Sequence, residues 1–516
     1  MRERLAARLS EIKDVVTLGT FHSFCLEFLR VHIHLTDLPK EFRVAAPLEI
    51  DSLASRLWID KKANQRQETL EEISRWKSTK LEGEAPADVK LLNLALREEG
   101  WLDFDDLLCV TLKLLQTNEN VRGETQRKYP FVFVDEYQDI NGIQQALLKI
   151  LTIRDSNQVL LTAIGDPNQA IYGFRGADVR FFESFQNDFS GATILYLQDN
   201  YRSSPNLLKA SSQVISKENT FSVPELTAQI FVEGRLTVHA SATDKAEAEF
   251  VVHQIEKLVG GTSLFSQDSR RVDSEDDAQH SFKEIAVLYR LNVQGKILEE
   301  AFVRSGIPYQ LAEGPLLSQP GVLEILVNLK SLIKKSPDTS MEKILERFIE
   351  SPSGKDWLSA DTKRKEIFAK LKRCALFSKS ATHFFDRLSL QRSEDSLENR
   401  VEKVSLMTLH ASKGLEFPVV FIVGCEENLL PLNLNGLSSD PQEERRLFYV
   451  GMTRAKKRLY LLHAHHRRIF GQLLENKPSV FLFDIEEQLK AYEKMLYKSS
   501  SKNKREQQQL TLFNDD

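Results

Sequence analysis

Apolar runs alternate with amphipathic segments along most of the chain, and this pattern predicts strands and helices in turn. The runs that predict buried strands lie at 15–21, 131–136, 159–166, 284–290, 404–410, 419–424 and 458–464. Most are apolar without strict alternation, which is typical of parallel strands covered on both faces. Between the second and third runs, Ile143, Leu147 and Ile150 fall at helical spacing and predict a core-facing helix. The pattern therefore favours an α/β fold built on mostly parallel sheets.

Two long segments, 31–105 and 317–399, lack such runs and predict helical insertions into α/β lobes. The remaining residues divide into a first lobe, a second lobe and a tail: 1–30 with 106–195, 196–316 with 400–495, and 496–516. The tail is rich in Lys, Ser, Gln and Asn, a composition typical of disordered segments.

Composition and charge change this picture little. Of the 516 residues, 41% are hydrophobic and 28% are charged, as in ordinary globular proteins. No apolar run is long enough for a membrane span, and the N-terminal MRERLAARLS lacks the apolar core of a signal peptide. We therefore expect a cytoplasmic protein with no membrane partner. The four cysteines lie far apart, which argues against a zinc knuckle or a disulfide framework.

Two carboxylates, Asp135 and Glu136, follow the apolar residues of FVFVDE at the end of a predicted strand. That carboxyl edge is where ligands of doubly wound folds bind. An Asp there can hold Mg²⁺ through water, and a neighbouring Glu can orient or deprotonate an attacking water. A helix N-cap or a solvated turn is the alternative interpretation of such a pair.

The stretch IGDPNQAIYGFRGAD also begins at the end of a predicted strand. It offers an amide at Gln169, aromatic rings at Tyr172 and Phe174, and a cation at Arg175. Aromatic rings interleaved with arginine suit base stacking on single-stranded nucleic acid. Core packing of the two aromatic residues is the alternative.

Ordered blocks along the chain carry a resemblance to a known family. They are TFHSF at 20–24, DFDDLL at 103–108, VDEYQD at 134–139, GDPNQAIYGFRGAD at 165–178, NYRS at 200–203, AVLYRLNVQ at 286–294, TLHASKGLEFP at 408–418 and EERRLFYVGMTRAKKRL at 443–459. In this order they resemble the UvrD/Rep-type superfamily 1 DNA helicases. The resemblance implies two RecA-like P-loop NTPase lobes with parallel sheets and helical insertions. It also implies ATP and Mg²⁺ as cofactors, and 3′ to 5′ movement on DNA that has a single-stranded 3′ tail.

The resemblance assigns roles to individual residues. It implies Asp135 as the metal ligand, with these catalytic residues: Glu136, Gln169, Arg202 and Arg454. The nucleotide-binding residues that it implies are Tyr201, Arg202, Glu416 and Arg454. The DNA-binding residues that it implies are Thr20, His22, Tyr172, Phe174, Arg175 and His410. Two alternatives stay open: His22 and His410 as satisfied core histidines, and Arg454 as a surface salt bridge.

One motif of this family, the phosphate loop, is not found in the sequence. No G-x-x-x-x-G-K-S/T occurs in the chain, and the nearest stretch, PSGKDW around Lys355, lacks the first glycine and the final hydroxyl. Met1 aligns with an internal methionine of the family, so we expect an incomplete first lobe and a chain that is inactive alone. A mis-started coding sequence, a split gene and an ATPase-dead DNA-binding remnant remain open as explanations.

The tail holds a short motif, QLTLF, at 509–513. It resembles the bacterial motif that docks on the DNA polymerase sliding clamp, and the residues that it implies are Gln509, Leu510, Leu512 and Phe513. Packing of this apolar patch on the second lobe is the alternative. The rival function is therefore a non-catalytic single-stranded-DNA-binding protein tethered to the clamp.

Overall fold

The structure is a computed structural model. It describes residues 16–79, 83–153, 159–217, 224–260, 280–312, 314, 316–319, 321–336, 339–360, 362–376, 378, 380–390, 401–434 and 436–492. The clamp motif at 509–513 lies outside these residues. Within them, no helix combines the length and apolar character that crossing a membrane requires.

The first lobe contains a small parallel sheet, here called the first sheet. Its strands are Phe131–Val134 and Leu160–Ala163, in register from Phe131 opposite Leu160 to Val134 opposite Ala163. The helices of this lobe are Phe21–Val31, Phe104–Thr117, Glu119–Lys128, Gly142–Thr152, Arg180–Glu183 and Phe185–Asp188. The helix predicted between the two strands is confirmed, with Ile143 and Leu147 buried.

The prediction of a strand at 15–21 is wrong for residues 16–21, the part of it that the structure describes. Residues 16–20 form no regular element, and a helix begins at Phe21. The Thr20 side chain accepts a hydrogen bond from the backbone N–H of Ser23 at 3.2 Å. This N-cap favours a helix start, and Cys25, Leu26 and Leu29 then fall at helical spacing on the buried face.

The second lobe is built on an eight-stranded sheet, here called the second sheet. Seven strands lie side by side and parallel, in the order Lys490–Tyr492, Arg235–Thr243, Ala455–Ile469, Phe417–Ile422, Ile285–Tyr289, Val404–Thr408 and Tyr309–Leu311. Gln472–Glu475 pairs antiparallel with Ala455–Ile469. Helices cover both faces: Pro205–Ser216 and Pro441–Met452 on one, Asp244–Val259 and Asn292–Ser305 on the other. The prediction of parallel sheets covered on both faces is confirmed here.

Both segments predicted as insertions are helical where they are described. The first contains Pro47–Leu57, Ala63–Thr79 and Ala87–Glu98. The second contains Val322–Lys335, Met341–Glu350, Pro352–Ser359, Thr362–Leu376 and Ala381–Ser389. The two segments contact each other, since Lys330 Nζ lies 3.1 Å from Glu49 Oε1. The lobe boundaries remain predictions.

Shorter elements complete the description. Two-residue strands pair as Arg43–Val44 with Trp101–Leu102, Asp199–Asn200 with Thr227–Ala228, and Asn433–Leu434 with Leu437–Ser438. A one-turn helix, Val480–Phe483, follows the last hairpin.

Candidate functional site

The first sheet delivers two exposed carboxylates at its carboxyl end. Asp135 and Glu136 follow the buried Val134, and the Asp135 carboxylate accepts the N–H of Glu136 at 3.0 Å. Glu136 has φ 54° and ψ 44°, a left-handed conformation that is uncommon for residues other than glycine. Such backbone strain clusters at functional sites, because the surrounding structure must hold it in place.

A buried amide, Gln138, joins the ends of the two strands. Its nitrogen donates to Glu136 Oε2 at 2.5 Å, and its oxygen accepts the N–H of Asp166 at 3.1 Å. A Cβ at Gly165 would lie 2.3 Å from that same oxygen, so this close approach requires glycine. Asp166 in turn accepts the side-chain amide of Gln169 at 2.9 Å, and burial raises the pKa of Asp166.

The second lobe contributes a buried arginine, Arg454, which is 1% exposed. Its guanidinium donates to the carbonyls of Val450 and Leu415, at 2.9 and 3.1 Å, and to Gln169 Oε1 at 3.2 Å. Burial, and then the charge of Arg202, lower the pKa of Arg454 to about 10. The surface-salt-bridge interpretation is therefore wrong, because this side chain is buried and reaches across to the first lobe.

A turn of the second lobe brings together the residues that the resemblance places at the nucleotide. Asn200 Oδ1 accepts the backbone N–H of Arg202 at 3.0 Å and of Ser203 at 2.9 Å, which fixes the turn and leaves Tyr201 exposed. Arg202 Nε donates to Glu416 Oε2 at 2.7 Å. Lys456, and then Arg202, lower the pKa of Glu416.

Lys413 is a site residue that the sequence reasoning missed. Its ammonium donates to Asp139 Oδ2 at 2.5 Å and to the carbonyl of Gln169 at 2.6 Å, and it lies 3.7 Å from Glu136 Oε2. This lysine was assigned no role from the sequence. The available signal was its position in the matched block TLHASKGLEFP, just beyond a buried strand.

The aromatic residues of the GDPNQAIYGFRGAD block divide between packing and exposure. Tyr172 packs against the core of the second lobe, and its hydroxyl lies 3.4 Å from the carbonyl of His410. Phe174 is 61% exposed, so core packing explains Tyr172 but not Phe174. The Arg175 guanidinium lies 5.3 Å from the Tyr172 ring and 5.4 Å from the Phe174 ring. An exposed ring beside a cation is suited to stacking on a base.

The three remaining DNA-site candidates have visible structural roles. His410 is half-buried, and its ring meets Phe174 edge-on at 5.6 Å. Burial, and then the charges of Arg290 and Arg175, lower the pKa of His410 to about 3, so the ring is neutral. Thr20 caps the helix Phe21–Val31, and the His22 ring stacks on Phe104 at 3.6 Å. Their DNA contacts remain predictions.

Two α/β lobes thus meet along one region, here called the cleft, where Lys413 and the buried Arg454 of the second lobe contact Asp139 and Gln169 of the first. This arrangement is typical of NTP-driven motors whose lobes move against each other. The family profile described as the UvrD/REP helicase N-terminal domain matches residues 1–190. The UvrD-like helicase C-terminal domain matches residues 195–372 and 366–466. The chain therefore belongs to the UvrD/Rep helicase family, and the resemblance is confirmed.

Individual relatives agree with this assignment. The chain is 28% identical to the ATP-dependent DNA helicase PcrA of Staphylococcus aureus strain Mu50, over 95% of this chain and 78% of that protein. It is 27% identical to the ATP-dependent DNA helicase Rep of Buchnera aphidicola, over 96% of this chain and 90% of that protein. A solved C-terminal domain of a possible DNA helicase from Lactobacillus is similar only at a TM-score of 0.27 and 11% identity, over 57% of this chain and 99% of that one. That last likeness carries no weight.

Proposed function

We propose that the function of this chain is that of an ATP-dependent DNA helicase or translocase, which loads on a single-stranded 3′ tail and moves 3′ to 5′, and that ATP turnover needs a phosphate loop that these 516 residues do not supply. Family membership and the names of the relatives support this function. One observation carries the proposal: the segment 165–178 contacts Arg454 through Gln169 and presents the exposed Phe174 a few residues later. A single segment therefore connects the nucleotide side of the cleft to an aromatic surface for DNA.

The residues of the cleft fit a nucleoside triphosphate. Burial, and then like-charge repulsion from Arg202, lower the pKa of Arg454, so an anion beside both arginines would be attracted to them. Tyr201 is exposed for stacking on a base, and Glu416 lies beside Arg202 for contact with a ribose. We assign Gln169 as the group that senses the terminal phosphate, since it already contacts Arg454.

The residues also fit Mg²⁺ held jointly with phosphates. Mg²⁺ in NTPases is typically bound through one or two carboxylates plus phosphate oxygens, and Asp135 presents one exposed carboxylate at the carboxyl edge. When bound, the ion would neutralise phosphate charge. We assign Glu136 the role of orienting and deprotonating water, and the Lys413 ammonium lies 3.7 Å from its carboxylate.

We further propose that these 516 residues alone bind single-stranded DNA without turning over ATP. The proposal rests on the lack of a G-x-x-x-x-G-K-S/T sequence in the chain. The rival function, a non-catalytic DNA-binding protein tethered to the sliding clamp through Gln509, Leu510, Leu512 and Phe513, shares this property. A pull-down of sliding clamp by the full chain and by its Leu512→Ala, Phe513→Ala variant tests this rival function. Equal recovery of clamp by both would contradict tethering through the motif.

DNA binding tests the proposal directly. Fluorescence anisotropy with labelled oligothymidine should show binding about 5- to 100-fold weaker for Phe174→Ala, because one base stack is lost. Phe470→Ala, which removes an exposed ring from the last hairpin, is the control and should bind as the wild type. Unchanged binding by Phe174→Ala would contradict the assigned DNA surface.

Duplexes with a single-stranded tail at one end or the other test the proposed preference for a 3′ tail. A duplex with a single-stranded 3′ tail should bind more tightly than the same duplex with a 5′ tail. Equal affinities would contradict loading at a 3′ region.

A further inference from the structure

The turn that carries Phe174, Tyr172 to Gly176, is held by a hydrogen bond to the second lobe. Its own hydrogen bonds run from the N–H of Arg175 to the Tyr172 carbonyl at 2.9 Å and from the N–H of Gly176 to the Gly173 carbonyl at 2.9 Å. The N–H of Gly173 points away from this one-turn helix, as the first N–H groups of any helix do. It donates to Glu443 Oε1 of the second lobe at 3.1 Å.

A second contact comes from the same helix, Pro441–Met452. Arg446, three residues beyond Glu443 and therefore on the same helical face, donates through Nε to the carbonyl of Ala170 at 2.7 Å. The helix ends just before Arg454, which contacts Gln169. Successive positions of one second-lobe helix thus contact successive positions of the segment 169–173.

The packing at Gly173 leaves no room for a side chain unless Glu443 moves. A Cβ there would lie 2.6 Å from Glu443 Oε2, so any side chain would displace the carboxylate. Glu443 is itself half-buried, and burial raises its pKa, so its placement has an electrostatic cost that the hydrogen bond to Gly173 offsets in part.

We propose that Glu443 and Arg446 are positioning residues for DNA binding: together they transmit the position of the arginine-bearing helix to the turn that presents Phe174 and Arg175. This inference rests on the proposed DNA role of the turn. Movement of Arg454 toward or away from a phosphate would carry both contacts with it, because all three side chains belong to one rigid helix and its end. The turn would then be reoriented without touching the nucleotide.

Oligothymidine affinity measured by anisotropy tests the inference. Glu443→Ala should weaken binding about five- to tenfold, the size expected for the net loss of one ordinary intramolecular hydrogen bond. Glu443→Gln keeps an acceptor oxygen and should bind within about twofold of wild type. Gln442→Ala, on the exposed face of the same helical turn, is the matched control and should have no effect. Thermal unfolding of each variant shows whether the fold is retained.

One triple and one double variant distinguish positioning from a general structural role. In a Phe174→Ala, Arg175→Ala background, Glu443→Ala should have no further effect, because its only route to DNA is through that turn. Gly173→Ala alone should weaken binding. Added to Glu443→Ala, it should cause no further loss, because the new methyl group then has room.

The outcomes separate this inference from the proposed function. Full wild-type affinity in Phe174→Ala would overturn the DNA role of the turn. Weak binding by Phe174→Ala together with wild-type binding by folded Glu443→Ala would overturn the positioning role alone. Additive losses of affinity in the triple and double variants would also overturn the positioning role.

Discussion

The two sheets of this molecule have equally apolar sequences but different surroundings. In the second sheet, Phe421 is 0% exposed and helices cover both faces. In the first sheet, Val132 and Leu161 pack on the helical side, whereas Phe133, 72% exposed, lies on a face that the described residues leave open. Parallel sheets are normally covered on both faces. An apolar strand thus indicates how much surface can be buried, and its neighbours decide how much is buried.

The carboxyl ends of the two sheets differ in the same way. At the second sheet, Arg467 is buried between Glu426 and Glu247, with Nη2–oxygen distances of 2.6 and 2.7 Å. At the first sheet, Asp135 and Glu136 are exposed. The charges of the second edge are satisfied inside the protein, and those of the first are available to a ligand.

Loss of the buried cation should give the largest effect. Arg467→Met leaves two buried carboxylates without their cation, so the free energy of unfolding should fall by about 5 kcal/mol, the upper end of values for broken buried ion pairs. The neighbouring Arg468→Met, at an exposed position, is the control and should change it by less than about 0.5 kcal/mol. Urea unfolding followed by circular dichroism measures both, and equal small losses would contradict the contrast between the two edges.

A matched pair of phenylalanines compares the two sheets directly. Phe421→Ala should cost about 3–4 kcal/mol, because Phe421 is buried and stacks on Tyr460 at 4.4 Å. Phe133→Ala should cost less than about 0.5 kcal/mol. Hydrogen exchange of peptides from each sheet localises the loss, and a large cost at Phe133 would mean that its face is covered in solution.

A smaller effect should follow from protonation of His410, which connects the second sheet to the turn that carries Phe174. Its folded-state pKa of about 3 lies below the ordinary 6.5. Stability should therefore be greatest above pH 6.5 and fall as the pH drops from 6.5 toward 3, because only the unfolded chain then binds the proton. At about pH 5 the loss should reach about 1–2 kcal/mol. The same urea series on His410→Gln should lack this component, and an identical pH dependence would contradict it.

The smallest change is expected at the exposed ion pair of the cleft. Arg202 and Glu416 are both partly exposed, so Glu416→Gln should shift the free energy of unfolding by less than about 0.5 kcal/mol. A loss comparable to that of Arg467→Met would show that this edge is as closed as the buried one.

Much of the fold followed from apolar runs, and the failures have physical causes. The strand Arg235–Thr243 escaped prediction because it buries polar side chains, among them Thr237 and His239, the latter stacked on Phe250 at 3.6 Å. The run at 15–21 misled because the cap at Thr20 outweighs β-branched residues before it.

The site was predictable where residue type and block order fixed it. Gln169 and Arg454 were expected at a nucleotide, and the structure brings them into contact. Lys413 and Glu443 also lie in matched blocks, but their contacts were not predicted, since their partners lie in the other lobe and only the folded chain shows which groups meet. Contacts between lobes leave no local pattern in a sequence.

Hydrolysis of ATP by the 516-residue chain, with and without single-stranded DNA, tests the central claim most directly. The cleft keeps its carboxylates and arginines, but the 516-residue sequence contains no G-x-x-x-x-G-K-S/T, so we predict no DNA-stimulated turnover. DNA-stimulated turnover that Glu136→Gln abolishes would contradict it, because the same cleft would then hold and hydrolyse ATP unaided.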